Sequence, residues 1–276
     1  MEARSAMSMI DLVVVAHTDH VALESTLRSI MAQVPMRVAL VVVDVGSAVV
    51  SPYLLHLIEA GACRHLALPG LNRYEAINRG IGAGSGQYIM VLHEGDKLAD
   101  SHVLADCERR LLACRAAPDV LYGARIKYFG SYWYYKQPRR PDQVALGMFV
   151  ELSCMLIRRE LFHRLTFDPS YTEAGDYAFV CQLMRLYPDV RWVRFDRILV
   201  QVVLDKMHEG HLGSKLKEDW QVQRDWVQSG VLMRTFVLFT RLISQCLRRL
   251  CRVTLGYPGF QTGTVPESRD GRVFVK

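Results

Sequence analysis

Short apolar runs alternate along this chain with longer segments in which apolar residues return every three or four positions. Residues 11–16 (DLVVVA) and 38–43 (VALVVV) are β-branched, almost continuous apolar runs bounded by polar residues. That length and composition predict strands buried on both faces, the pattern of a parallel sheet. Between them Leu23, Leu27, Ile30 and Met31 keep helical spacing. They predict a helix over residues 21–33, and with it a strand–helix–strand unit with a right-handed crossover. The alternation continues with a helix over 51–60, a short strand over 65–68 and a helix over 73–83 closed by Gly84 and Gly86. A strand over 87–92 (QYIMVL) follows, then a helix over 101–116 with Ser101 as N-cap and Pro118 beyond its end. Further strands are predicted at 120–122, 126–129, 191–195 and 198–203, and short helices at 159–164 and 176–186. Residues 130–142 hold four consecutive aromatics at 132–135 and then QPRRP, and predict a mobile loop. No internal repeat is present. The fold class is α/β, a Rossmann-like, mostly parallel sheet with helices on both faces.

Sheets of this kind bind ligands outside the carboxyl ends of their strands. Three such ends carry an aspartate: Asp19 in AHTD, Asp44 in DVGS and Asp96 in HEGD. A single aspartate there is commonly a turn or cap residue. Three at topologically matching ends point to one shared site.

Composition narrows the class. Half of the 276 residues are apolar and 22% are charged, enough for a sizeable core and too apolar for disorder. Seven cysteines, odd in number and without a CxxC pair, exclude a disulfide scaffold and a structural zinc site, and suit a reducing compartment. No run of 18 apolar residues predicts a spanning helix, and MEARSAMSMIDLVVV reads as the approach to a buried strand, not a signal peptide. The net charge of +6 has one address. Residues 231–276 hold eight Lys+Arg and two Asp+Glu, so the first 230 hold 26 of each and are neutral. A nucleic-acid-binding surface would not confine its charge to one end. Within that end Leu232, Phe236, Phe239, Ile243, Cys246 and Leu250 fall within about 80° of a helical wheel, opposite Arg234, Arg241, Arg248 and Arg252. Such a helix packs on the domain, binds a partner or lies on anionic lipid. The lack of acidic residues between 231 and 266 favours lipid. The helix is expected to end at Gly256-Tyr-Pro-Gly259, with a disordered tail over 261–276.

Several segments, in order and at matching spacing, resemble one family. VVVAHTDHVALESTLRSIMAQ, VVVDVGSA, YEAINRGIGAGSGQYIMVLHEGD, DVLYGA and the late LIRRELFHRL…FDPSYTEAGDYAFVCQLM resemble the GT-A glycosyltransferases of family 2, which build bacterial capsule, exopolysaccharide and lipopolysaccharide. The long YEAINRGI…GD stretch is the most specific of them. The resemblance implies a nucleotide-binding half over 1–100 and an acceptor half over 101–230, followed by a membrane-associating helix over 231–260. It implies that Asp44 binds the donor base, a uracil, that His17 and Asp19 line base and ribose, and that Arg73 approaches the phosphates beside Asn78 and Gly80. Asp96 would hold Mg²⁺ or Mn²⁺ on the diphosphate. His208, or His211, in DKMHEGH is either a late ligand to that ion or a loop histidine. Asp176 falls at the family's general base, which implies an inverting single displacement. Tyr132, Trp133 and Tyr134 either stack on an acceptor sugar or form an edge strand. The family's usual acidic pair is here Gly95-Asp96, His93 stands for its Asn, and Val45 for the second acid of its DDGS turn.

The expected partners are a nucleotide-sugar donor, a glycan or lipid-linked acceptor and an anionic membrane, with a cytoplasmic location on the inner face of the cell membrane and no nucleic acid. A nucleotidyltransferase would need a Gly-rich basic loop after the first strand, which AHTDH lacks. A non-catalytic GT-A-like protein that binds nucleotide or glycan at the membrane is the alternative function.

Overall fold

The computed structural model describes residues 8–35, 38–46, 50–129, 132–203, 212–228, 230–254 and 261–262. Strand β1 (Ile10–Ala16) is buried along its whole length, and α1 (His20–Met31) leads to β2 (Val38–Asp44). Helix α2 (Pro52–Glu59) is capped by Ser51, with Pro52 where its missing N–H costs nothing, and precedes β3 (Arg64–Ala67). Helix α3 (Arg73–Ala83) opens on a capping box. Asn72 accepts from the Tyr74 and Glu75 amides while Glu75 accepts from the Asn72 amide. Strand β4 (Tyr88–His93) and a turn through Gly95 (φ 91°) bring in the short β5 (Asp96–Leu98). The chain continues through α4 (Val103–Ala113), β6 (Val120–Phe129), β7 (Tyr132–Lys136), β8 (Met155–Arg158), α5 (Gly175–Leu186), β9 (Trp192–Val203), α6 (Leu212–Val222), α7 (Val231–Thr254) and β10 (Gln261–Thr262).

The strands form one sheet in the order β10-β7-β6-β8-β4-β1-β2-β3, with β9 against β6 and β5 against β9. Strands β4, β1, β2 and β3 run parallel. Strand β8 is antiparallel to both β4 and β6, and β7 is antiparallel to β6. Register sets Asp44 beside Ala16 and His93 beside Val15, so the carboxyl ends of β1, β2 and β4 form one edge. In the middle of the apolar DLVVVA run, Asp11 is fully buried. It pairs with Arg159 at 2.5 Å and accepts from the Gly86 amide at 2.7 Å. Arg159 also donates to the carbonyls of Ile81 and Gly86, so the ion pair ties β1 to the α3–β4 turn through Asp11 Oδ2, while the buried Oδ1 makes no hydrogen bond.

The structure departs from the sequence reading in several places. Residues 132–136 are a strand, not a loop. Trp133 turns inward and is buried while Tyr132 is exposed, the period of two that a sheet edge imposes. Ser101 does not cap α4, whose N-cap is His102 without a side-chain bond. The paired short strands at 120–129 and 192–203 are single strands, and β8 and α6 were not foreseen. Gln261 and Thr262, expected in a disordered tail, pair with β7. The expected helix stop at 256–259 and the rest of that tail lie outside the described residues.

Candidate active site

The loops that leave β1 and β2 are pressed together. A Cβ at Gly46 would lie 1.6 Å from the His17 carbonyl oxygen, so only glycine permits this approach. Asp44, buried at the end of β2, accepts from the Gly46 amide at 3.0 Å, and its other oxygen lies 3.9 Å from His65 Nε2. His17 donates its amide to Glu94 at 2.7 Å and sets its ring 3.8 Å from the same carboxylate. Glu94 thus braces the first loop instead of standing free in solvent. Asp19 accepts from the Ala22 amide and caps α1. Its carboxylate is engaged there, at the rim of the site.

Opposite this wall, Arg73 at the start of α3 meets Asp176 in the first turn of α5. Arg73 Nη2 lies 3.3 Å from both carboxylate oxygens and donates to the Tyr74 hydroxyl at 2.9 Å. The buried Arg73 Nε makes no hydrogen bond. The Tyr74 hydroxyl also accepts from the Asp176 amide at 3.3 Å. The ring of Tyr74 is fully buried and stacks on Phe167, which stacks on Phe179 with centroids 4.1 Å apart. This column fixes α3 against α5. Gly175 completes the contact, since a Cβ there would sit 2.5 Å from the Tyr74 ring. From below, Glu218 on α6 accepts from the amides of Thr172, Glu173 and Ala174 at 2.8–3.0 Å and holds the segment that leads to Asp176.

His93 stands between the two walls. Both ring nitrogens are shielded from solvent and unbonded. Burial first, then the nearby Arg73, press its pKa down to about 4, against the opposite pull of Asp96 and Asp176. His17 contributes to the same field. His93 is therefore within electrostatic reach of His17, Arg73, Asp96 and Asp176 together, and its ring is neutral at ordinary pH.

Asp96 differs from the expectation. Its Oδ1 accepts from Arg125 at 2.7 Å and its Oδ2 from the His93 amide at 3.1 Å, and the residue is 4% exposed. Arg125, Lys127 and Lys136 in turn surround Glu151, at 3.9, 3.6 and 2.5 Å. Among the described residues no three His, Cys, Asp or Glu gather to hold a metal ion. The carboxylate expected to hold Mg²⁺ or Mn²⁺ there already has a cation, Arg125. His208 and His211 lie outside the described residues.

Asn78 and Gly80 make packing contacts, and the aromatics at 132–134 take the strand alternative. Asn78 donates to the Phe167 carbonyl at 2.7 Å and accepts from its amide at 3.0 Å, so it fastens a backbone instead of lining a phosphate wall. Gly80 is covered by Val13 and Val43, where it lets α3 sit close on the sheet. Trp133 is buried and cannot stack on a sugar; Tyr132 is exposed and Tyr134 half-buried. Sequence reasoning missed Arg125, Lys127, Lys136 and Glu151, because charges spread over β6, β7 and the turn before β8 carry no motif. It also missed His65 and Glu218.

No family model matches the chain, and neither does any curated protein sequence. Solved structures do. Residues 1–349 of S. aureus TarS in complex with UDP-GlcNAc superpose with a TM-score of 0.58 at 13% identity, over 88% of this chain and 72% of that one. Against the longer TarS structure the TM-score is 0.57, and this chain spans 43% of its length. The mannosyltransferase PcManGT from Pyrobaculum calidifontis, with GDP-Man and Mn²⁺, gives 0.56 at 13% identity, covering 92% of this chain and 77% of that one. Glucosyl-3-phosphoglycerate synthase from Mycobacterium tuberculosis, with Mn²⁺, UDP and phosphoglyceric acid, gives 0.55 at 17% identity over 78% of each chain. At these identities the likeness is one of fold, and the chain has the GT-A fold of these glycosyltransferases.

Proposed function

We propose that this chain is an inverting glycosyltransferase that moves a sugar from a nucleotide-diphosphate donor, of the UDP class, to a hydroxyl of a glycan or lipid-linked acceptor in surface polysaccharide synthesis. The observation that carries the reading is the gathering at the carboxyl edge of the sheet: Asp44 buried at the end of β2, Asp96 accepting from the amide of the buried His93, and Arg73 on α3 meeting Asp176 on α5. The fold neighbours with UDP-GlcNAc and GDP-Man support a nucleotide-sugar donor.

In this reading Asp44 accepts from the ring N–H of the base, which a carboxylate can do and an amide does less well. Arg73 orients Asp176. Asp176 takes the proton from the acceptor hydroxyl as that oxygen attacks the anomeric carbon and the nucleoside diphosphate leaves from the opposite side. Tyr132 and Tyr134 border the acceptor half. Helix α7 gives the chain its membrane. Val237 is 2% exposed, and Arg234 lies over the Trp220 ring of α6, so the first turns rest on the body. Leu232, Phe236, Phe239 and Ile243 face outward at 88, 59, 59 and 40% exposure. No helix of the described residues is long and apolar enough to cross a membrane. An outward apolar stripe on a basic segment suits a helix lying in the headgroup layer of the inner membrane face.

The test is a thermal-shift series with UDP, GDP and ADP on the full chain and on Asp44→Ala, followed by donor turnover. UDP should raise Tm in the wild type and not in Asp44→Ala, whose unliganded Tm stays close to wild type. Nucleotide binding without any sugar release would leave the non-catalytic alternative. No nucleotide response would remove the reading.

A further inference from the structure

The sheet register extends the site beyond Asp96. Asp96 on β5 pairs with Val202 on β9, Val202 with Lys127 on β6, and Lys127 with Tyr134 on β7. Directly paired residues share a face, so Asp96, Lys127 and Tyr134 form one row. The neighbouring row holds Leu98, Val200, Arg125 and Lys136 on that same face. Three cations and two carboxylates, Asp96 and Glu151, therefore lie together, with a surplus of one positive charge. The guanidinium of Arg125 is 13% exposed, and its buried Nε makes no hydrogen bond. Lys127 and Lys136 are 28% and 38% exposed. A divalent cation on Asp96 would have to enter beside a guanidinium already 2.7 Å from the same oxygen, in a place with little water to screen the repulsion. An anionic phosphate meets the opposite situation, a fork of N–H donors next to two ammonium groups.

We infer that the positive charge for the donor diphosphate is built into the chain, as Arg125 with Lys127 and Lys136, and that donor binding needs no divalent cation. Asp96 then serves as a positioning residue that holds Arg125 in place. The inference rests on the nucleotide-sugar reading above and concerns the same site.

Calorimetric titration of the full chain with UDP and GDP, once in EDTA and once in Mn²⁺, tests it. The dissociation constant of the tighter nucleotide should agree between the two buffers to within about threefold. Arg125→Gln would strand the buried Asp96 carboxylate, so the variant of choice is Lys136→Gln, whose side chain is partly exposed. It should weaken binding in EDTA by about tenfold, the effect of losing one charge-assisted contact. Binding that Mn²⁺ tightens tenfold or more, or that EDTA abolishes, overturns the inference and leaves the donor reading standing. Unchanged affinity in Lys136→Gln overturns the role of the cluster. Binding of neither nucleotide in either buffer removes the donor reading itself and this inference with it.

Discussion

Asp176 has two carboxylate oxygens and one guanidinium shared between them, and it sits in the first turn of α5, past the N-cap position, which is Ala174. A capping role is therefore not what it does. If it takes the acceptor proton, Asp176→Asn keeps the shape, loses the base, and lowers turnover by about 10²–10⁴ while donor affinity holds. Near-normal turnover with both substrates saturating would reduce Asp176 to the counter-ion of Arg73. His93 makes a different kind of prediction. Its folded-state pKa of about 4 lies below the ordinary 6.5, so between those values the unfolded chain binds the extra proton. Its contribution to stability is complete above pH 6.5 and is lost as pH falls toward 4. Glu151 acts in the same direction at lower pH. Burial alone would raise its pKa, but Lys136, Lys127 and Arg125 hold it below the usual carboxylate range, and that stability goes as pH drops through and below 4.5. Tm measured from pH 7.5 down should thus fall steadily, and in His93→Asn the part of the slope between about 6.5 and 4 should flatten. An unchanged slope would show that the imidazole is not desolvated.

Among the elements, α3 and α5 are joined by a ring-to-backbone contact with no slack. Gly175→Ala would drive a methyl into the Tyr74 ring, and overpacking of this kind costs about 1–3 kcal/mol, to be read from urea unfolding. Because Tyr74 also bonds Arg73 and Asp176, turnover should drop with stability. Wild-type stability in that variant would mean the helices can slide apart. How legible these elements were in the sequence follows from what each one's signal depends on. The runs at β1, β2 and β4 and the helix over 73–83 are local patterns, and the structure bears them out within a residue or two. The sequence leaves β7 open between a loop and an edge strand, because four aromatics in a row hide the period of two that burial of Trp133 reveals. Asp44, Arg73, Asp96 and Asp176 were singled out from strand ends and family spacing, and the proposed site is built on them. The partners that define what they can do, Arg125 for Asp96 and Arg73 for Asp176, come from pairings 29 and 103 residues apart, which no window along the chain contains.

At the scale of the whole molecule, the neutral body and the basic end are separate in charge but not in construction. Helix α7 rests on α6 through Arg234 and Trp220, and α6 carries Glu218, the carboxylate that gathers the Thr172, Glu173 and Ala174 amides just ahead of Asp176. In terms of where this protein can be cut, that bracket redraws the border of the part that holds the proposed site. The last long strand ends at Val203, yet the floor beneath the proposed base is laid by a side chain fifteen residues further on. Shortening the chain after Gly230 should spare Glu218. It should abolish sedimentation with anionic liposomes, which in the wild type weakens with salt, and leave turnover of a water-soluble acceptor intact. Glu218→Ala in the full chain should do the reverse, binding liposomes normally and turning over poorly. If both changes fail together in both assays, α6 and α7 are one appendage; if they separate, α6 belongs to the enzyme and α7 is its anchor.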